Sequence, residues 1–192
     1  WKVDVTDFSP FLRDSVQIDY IHTGYEDKTV GWALTIDFEI VSGPPVVVPL
    51  GISSLWNAAY KYGDPKEKIE DNLLPISFES IAGAAFSRIR IQHTGHGMDK
   101  PKGCSEFCSR CGDNPLYPQG GTWIIDRAYW CPGDLQHPDI IDVKTAVGKH
   151  SLALEMEPYT ATDNIQAVEN ISSYLFQYSA PKQKLDVAVD QI

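Results

Sequence analysis

Positive charge is scarce in this sequence, and long apolar runs are absent. The 192 residues include 16 Lys and Arg against 26 Asp and Glu, a formal net charge of −10. The basic residues are scattered, so no cationic stripe can neutralise phosphates, and nucleic acid is not an expected partner. No apolar run approaches the roughly 20 residues that span a bilayer, so no membrane span is expected. No signal-like segment precedes Trp1, which lies inside strand-like sequence, and we expect a fragment of a longer protein.

Alternating apolar residues predict a β-rich chain. Hydrophobic residues make up 43% of the sequence, which is enough for one good core. Large apolar residues occupy every second position from Trp32 to Ile40, and this pattern predicts a half-buried strand. Val16 to His22 is the predicted partner of that strand. Paired prolines in Ser42-Gly43-Pro44-Pro45 then break the pattern and predict a domain boundary.

Further strands are predicted after this boundary. Their spacing is typical of an all-β, two-sheet antiparallel sandwich of jelly-roll type. They cover Val46 to Leu50, Ser87 to His93, Thr122 to Trp130, Asp139 to Val143, Ser151 to Glu157 and Ile165 to Ser179. Helical character is indicated only at Ser53 to Tyr60 and, weakly, at Lys61 to Asn72, a charged stretch interpreted as a surface insertion. The predicted domains are residues 1–43, the closing strands of a first domain, and residues 44–192.

Four clustered cysteines leave two interpretations open. They are Cys104, Cys108, Cys111 and Cys131. An even, clustered count favours disulfides and an oxidising compartment, with three possible pairings. A zinc site is the competing interpretation, because Cys108 and Cys111 have ligand spacing. The remaining spacings do not form the second close pair of a zinc ribbon.

The chemistry-bearing residues concentrate between His93 and Gly133, where Gly, Trp, Cys and paired charges predict a rigid site built on loops. This segment contains Cys104-Ser-Glu106-Phe-Cys108 and Trp123-Ile-Ile-Asp126-Arg127-Ala-Tyr-Trp130-Cys131-Pro-Gly. These motifs resemble the C-terminal domain of the peptide-N-glycosidase F family. The stretches Val3-Asp-Val-Thr-Asp7-Phe and Asp37-Phe-Glu-Ile are similar to the end of that family's first domain.

The resemblance implies two jelly rolls packed side by side, with residues 44–192 as the second one. It also implies cofactor-free hydrolysis, in the cleft between the rolls, of the amide that joins an N-linked glycan to asparagine. Glu106 matches the family's second-domain catalytic carboxylate, Arg127 the arginine paired with it, and Trp130 an aromatic residue at the cleft. The implied disulfides are Cys104–Cys108 and Cys111–Cys131.

General chemistry agrees with these roles, because amide hydrolysis needs water activation, an oxyanion donor and a proton for the leaving nitrogen. Carboxylates and a guanidinium can supply all three. Trp123 and Trp130 offer flat faces to sugars, and Asp126 and His96 are further expected substrate contacts. The expected partner is an N-glycosylated peptide or protein, and the expected state is a bacterial, secreted or periplasmic monomer.

Other interpretations of the same residues stay open. Glu106 is alternatively a solvated loop acid, Arg127 and Asp126 a structural ion pair, and Trp123 and Trp130 core aromatics. The chain is alternatively a non-catalytic carbohydrate-binding or glycoprotein-binding jelly roll.

The histidines suggest a third class. His93, His96 and Met98 allow a copper-dependent monooxygenase-like interpretation, but that likeness is one of fold only, and no metal site is predicted. We expect His93 to be buried against the core and His96 to lie at the cleft on a glycine-flanked turn.

The chain also departs from the family pattern. The family's chief catalytic aspartate lies upstream of Trp1, and only two residues separate Cys108 from Cys111 where the family has a substantial segment. As written, the chain is therefore not expected to be a complete enzyme.

Overall fold

The structure is a computed structural model that describes residues 2–21, 33–43, 46–96, 135–161 and 167–181. Within these ranges, the regular structure is β apart from two short 3₁₀ helices, Thr6–Phe8 and Ile69–Asp71. The strands are β1 (Pro49–Tyr62), β2 (Ile76–Glu79), β3 (Ala84–His96), β4 (Asp139–Lys144), β5 (Lys149–Leu152) and β6 (Ala167–Ser179). Every strand pair is antiparallel. The predicted all-β antiparallel class is confirmed, and none of the described helices has the length and hydropathy of a membrane span.

The strands form two layers around one apolar core. A four-stranded sheet has the order β1-β6-β3-β4, and β2 pairs with β5 in a second, two-stranded sheet. The core cluster consists of Leu55, Trp56, Ile69, Leu73, Ile171 and Leu175. Ile76 and Phe78 from β2 and Leu152 from β5 pack against this cluster, which joins the layers. The jelly-roll connectivity and the side-by-side second roll stay predictions.

Strand β3 follows from its alternating sequence. Ile89 and Ile91 pack against the core, whereas Arg88 and Arg90 project from the opposite face of the sheet. The strands predicted over Ser87 to His93, Asp139 to Val143 and Ile165 to Ser179 are confirmed where residues are described. The strand predicted over Thr122 to Trp130 lies outside the described residues.

Strand β1 corrects two predictions. It begins at Pro49 rather than at Val46, and it includes Ser53 to Tyr60, where the helical interpretation is wrong. A register shift between Ser54 and Asn57 buries the adjacent residues Leu55 and Trp56. The bulge interrupts the period of two that identifies a strand in a sequence, and this explains the misreading.

The stretch Lys61 to Asn72 is not simply a surface insertion. Its helical character is limited to Ile69–Asp71, and Ile69 is only 3% exposed. Leu73, directly after this stretch, is 4% exposed and belongs to the same core cluster. These two apolar side chains fix the loop between β1 and β2 to the core, while most of the charged side chains of that loop stay exposed to solvent.

The predicted half-buried strand from Trp32 to Ile40 is not observed. Residues 16–21 and 33–43 contain no strand in the described part of the chain, and their side chains are exposed. Alternation gives a strand a buried face only where a second layer covers that face, and no described residue covers these side chains.

The predicted division into residues 1–43 and 44–192 stays a prediction. The strand predicted over Ser151 to Glu157 is confirmed only as far as Leu152.

Candidate functional site

Most predicted site residues lie outside the described part of the chain. They are Cys104, Glu106, Cys108, Cys111, Trp123, Asp126, Arg127, Trp130 and Cys131. The contact between the carboxylate and the guanidinium therefore stays a prediction, as do the disulfide pairings. His96 is described, and it is the last described residue before the segment that contains the other site residues.

His96 is the last residue of β3 and pairs with Val168 of β6. Gly95 pairs with Glu169 in the same ladder, so the predicted glycine-flanked turn is wrong for these two residues. Thr94 lies on the same face as His96, and its Oγ1 is 2.7 Å from the histidine Nε2. The strand backbone and this hydrogen bond hold the imidazole at the sheet end.

The residues that flank 97–134 are held at the same end of the sheet. The Gln92 Nε2 donates a 2.5 Å hydrogen bond to the carbonyl of Gln136, and β4 begins with Asp139 opposite Ile91. His96 and Gln136, which lie on either side of residues 97–134 along the chain, are therefore both at this end of the sheet.

A groove of about 300 Å³ opens at this end of the sheet. Its lining consists of Ala58, Gln92, His93, Thr94, Gln136, Asn170, Ile171 and Ser172. Amide and hydroxyl side chains predominate among the polar residues of this lining, and such groups can both donate and accept hydrogen bonds.

His93 differs from its prediction. Its side chain is half-buried rather than buried against the core, and its Nδ1 is 3.8 Å from Glu169 Oε2. The Glu169 carboxylate raises the pKa of His93 above its ordinary value, against an opposing effect of burial. Among the described residues, no group of three or more His, Cys, Asp or Glu side chains is arranged to bind a metal ion.

A second polar cluster lies on the face of the sheet opposite the core, and the sequence analysis did not find it. Asp7, in the first 3₁₀ helix, is 8% exposed. Its Oδ1 is 3.3 Å from Arg88 Nη1, and its Oδ2 is 3.4 Å from Arg90 Nη1. The Tyr178 hydroxyl also donates a hydrogen bond to Oδ1. One carboxylate thus joins the N-terminal segment to both β3 and β6.

Neighbouring groups hold the Arg88 guanidinium in place. Its Nε and Nη2 donate hydrogen bonds of 2.7 and 2.9 Å to the two carboxylate oxygens of Asp142 in β4. This bidentate pair raises the pKa of Arg88 and lowers the pKa of Asp142. Burial, together with the hydrogen bond to Asp7, raises the pKa of Tyr178. The cluster therefore stays charged on its Arg88 and Asp142 members and neutral on Tyr178 around neutral pH.

The available sequence signal for this cluster was the alternation of Arg88 and Arg90 with isoleucines, which places two cations on one face of a strand. Their acidic partner could not be read from the pattern, because Asp7 and Arg88 are 81 positions apart.

The fold defines a class: a two-layer antiparallel β protein with a groove at one end of a sheet. No protein-family model matches the chain. A search of curated proteins finds peptide-N(4)-(N-acetyl-beta-D-glucosaminyl)asparagine amidase F of Elizabethkingia miricola, 28% identical over 173 residues. The match covers 74% of this chain and 47% of that protein, so the chain spans about half the length of the curated relative.

A search of solved structures also finds a protein with a similar fold. The crystal structure of a peptide-N(4)-(N-acetyl-beta-D-glucosaminyl)asparagine amidase matches with a TM-score of 0.51 and 18% identity. This match covers 68% of the chain and 52% of the solved one. The resemblance predicted from the cysteine- and tryptophan-rich motifs is confirmed.

Proposed function

We propose that this chain is part of a hydrolase that cleaves the amide bond between an N-linked glycan and asparagine. The observation that carries the proposal is the 28% identity to an amidase of that name over 74% of the chain. The similar fold of a solved amidase supports it. Since the chain spans about half of the curated relative, the complete site is proposed to need a further carboxylate from sequence upstream of Trp1.

In this proposal Glu106 and Arg127 carry the chemistry. Glu106 accepts a proton from the water that attacks the amide carbonyl, and Arg127 keeps this carboxylate ionised and donates to the developing oxyanion. The leaving nitrogen takes a proton and departs as a glycosylamine, while the asparagine becomes an aspartate. Trp123 and Trp130 present flat faces to the sugar rings, and His96, at the end of β3, and Asp126 contact the substrate.

The test is incubation of the full-length gene product with an N-glycopeptide in heavy-oxygen water. We expect aspartate that carries the heavy oxygen, and we expect Glu106→Gln to lower kcat by about 10²–10⁴-fold. Glu155→Gln removes an exposed carboxylate elsewhere in the chain and serves as the matched control. An intact glycopeptide alongside a well-folded protein contradicts the proposal, and retained binding in that case would favour the carbohydrate-binding alternative.

We also propose that the four cysteines form the pairs Cys104–Cys108 and Cys111–Cys131 and that the protein acts outside the cytoplasm. The small ring closed by the first pair would restrict the backbone around Glu106. Mass spectrometry of the unreduced protein, with alkylation of any free thiol, tests the pairing. Alkylation of all four cysteines without prior reduction would refute it.

A further inference from the structure

The N-terminal segment contacts the sheet mainly through Asp7 and Phe8. Within residues 2–21, Asp7 is the buried residue, Phe8 and Pro10 are half-buried, and the other side chains are exposed. Phe8 packs edge-on against Tyr174 and Phe176, with ring centroids 5.8 and 4.9 Å apart. One carboxylate and one aromatic ring therefore make most of the attachment.

The surface beneath them is built to receive an anion and a ring. Arg88 and Arg90 supply two guanidinium groups to Asp7, and Arg90 Nη2 also donates a 2.9 Å hydrogen bond to the Asp4 carbonyl. Arg90 lies 5.9 Å from the centre of the Phe8 ring. Arg88 also has Asp142 as a partner. The Arg90 side chain, however, is only 12% exposed, and since a largely buried cation without a partner is costly, this face favours the docked segment over an open one.

The same face of β3 continues to the candidate site. Arg88 and Arg90 alternate with the core-facing isoleucines, and Thr94 and His96 continue their row. At about 3.3 Å per residue, His96 lies roughly 20 Å along the strand from Arg90. The docked segment and the site end of β3 therefore share one rigid strand.

We propose that Asp7 is a positioning residue: it docks the N-terminal segment on this strand and so sets where the upstream chain lies relative to the site. The proposal rests on the proposed function, in which upstream sequence supplies a further catalytic carboxylate. Asp7 touches no reacting atom in this scheme. It acts through Arg88, Arg90 and Tyr178, which fix the distance and orientation between two parts of one site.

The docking itself is tested by hydrogen exchange of the full-length protein carrying Asp7→Asn, a substitution that keeps the shape and removes the charge. The amides of Phe8 and Ser9 donate to the Val5 and Thr6 carbonyls, so they report on this turn. We expect exchange in residues 6–12 to accelerate by about tenfold or more while β6 keeps its protection. Exchange at the wild-type rate would overturn the proposal, as would an equal acceleration in β6.

Two further variants sharpen this measurement. Asp14→Asn removes an exposed carboxylate from the same segment and is expected to change nothing, since its positive φ of 56° suits asparagine. Tyr178→Phe removes only the hydroxyl that donates to Asp7, and it is expected to accelerate the same amides by a smaller factor. An Asp14→Asn effect as large as that of Asp7→Asn would overturn the assignment to Asp7.

The coupling to the site is tested by glycopeptide kinetics on the same variants. We expect Asp7→Asn to lower kcat by about 10–100-fold with a smaller change in KM, because misplacement by about 1 Å slows chemistry more than it weakens binding. Faster exchange with unchanged kcat would refute positioning. A wild-type protein that cleaves no glycopeptide would refute the proposed function and with it the positioning role, whereas unchanged exchange alone would refute the docking.

Discussion

Truncation of Leu175 is expected to cause a large loss of stability. This side chain is fully buried in β6, the strand that pairs with both β1 and β3. Its ladder partners are Ser53 on one side and Ile89 on the other. Because both flanking strands are held by hydrogen bonds, the backbone cannot close readily around the space left by Leu175→Ala.

The expected cost follows from the cavity. Leu-to-Ala changes at fully buried sites cost about 2–5 kcal/mol, and the absence of room to relax places this site in the upper part of that range. Total stabilities of domains are about 5–15 kcal/mol, so the loss is a large fraction of the whole. In urea denaturation with a slope of about 2 kcal/mol/M, the midpoint should fall by about 2–2.5 M at constant slope.

The matched control is Ile141→Ala in β4, at the edge of the sheet. Ile141 is 49% exposed, so its truncation should change the free energy of unfolding by no more than about 0.5 kcal/mol. Equal midpoint shifts for the two variants would refute the assignment of Leu175 to the core and of β6 to the centre of the sheet.

Two further predictions concern a glycine turn and a titrating pair. Gly63→Ala should lower the thermal midpoint more than Gly83→Ala does. Both glycines have a positive φ, at 89° and 86°, so both substitutions strain the backbone. A Cβ at Gly63 would in addition collide with a tyrosine ring, whereas a Cβ at Gly83 would meet open space. Because Glu169 raises the folded-state pKa of His93, their attraction stabilises the fold fully below the ordinary histidine value of 6.5 and is lost as pH rises through the higher folded-state pKa. Glu169→Gln should therefore reduce the free energy of unfolding near pH 5–6, whereas near pH 9 the loss of this pair should have no effect on it. Urea titrations at both pH values measure the difference. A larger loss at pH 9 than at pH 5–6 would contradict the assignment.

The sequence motifs predicted the resemblance, whereas the geometry of the candidate site stays a prediction. The motifs around Glu106 and Arg127 led to the resemblance that the comparisons confirm. The arrangement of these side chains relative to one another depends on how residues 97–134 fold, and within this segment the sequence predicts a strand only over Thr122 to Trp130. His96 shows the difficulty: flanking glycines suggested a turn, yet pairing with β6 keeps Gly95 and His96 in the strand.

The sequence by itself indicated the fold class, because the alternation of apolar and charged residues in β3 is a local property of that strand. The same pattern from Trp32 to Ile40 forms no strand in the described residues, since alternation alone does not supply a covering layer. Only the tertiary structure decided which residues meet. The bulge that buries both Leu55 and Trp56 depends on the register between β1 and β6, and the pairing of Asp7 with Arg88 joins positions 81 residues apart. Such contacts arise from packing and charge complementarity between distant segments, which no local pattern encodes.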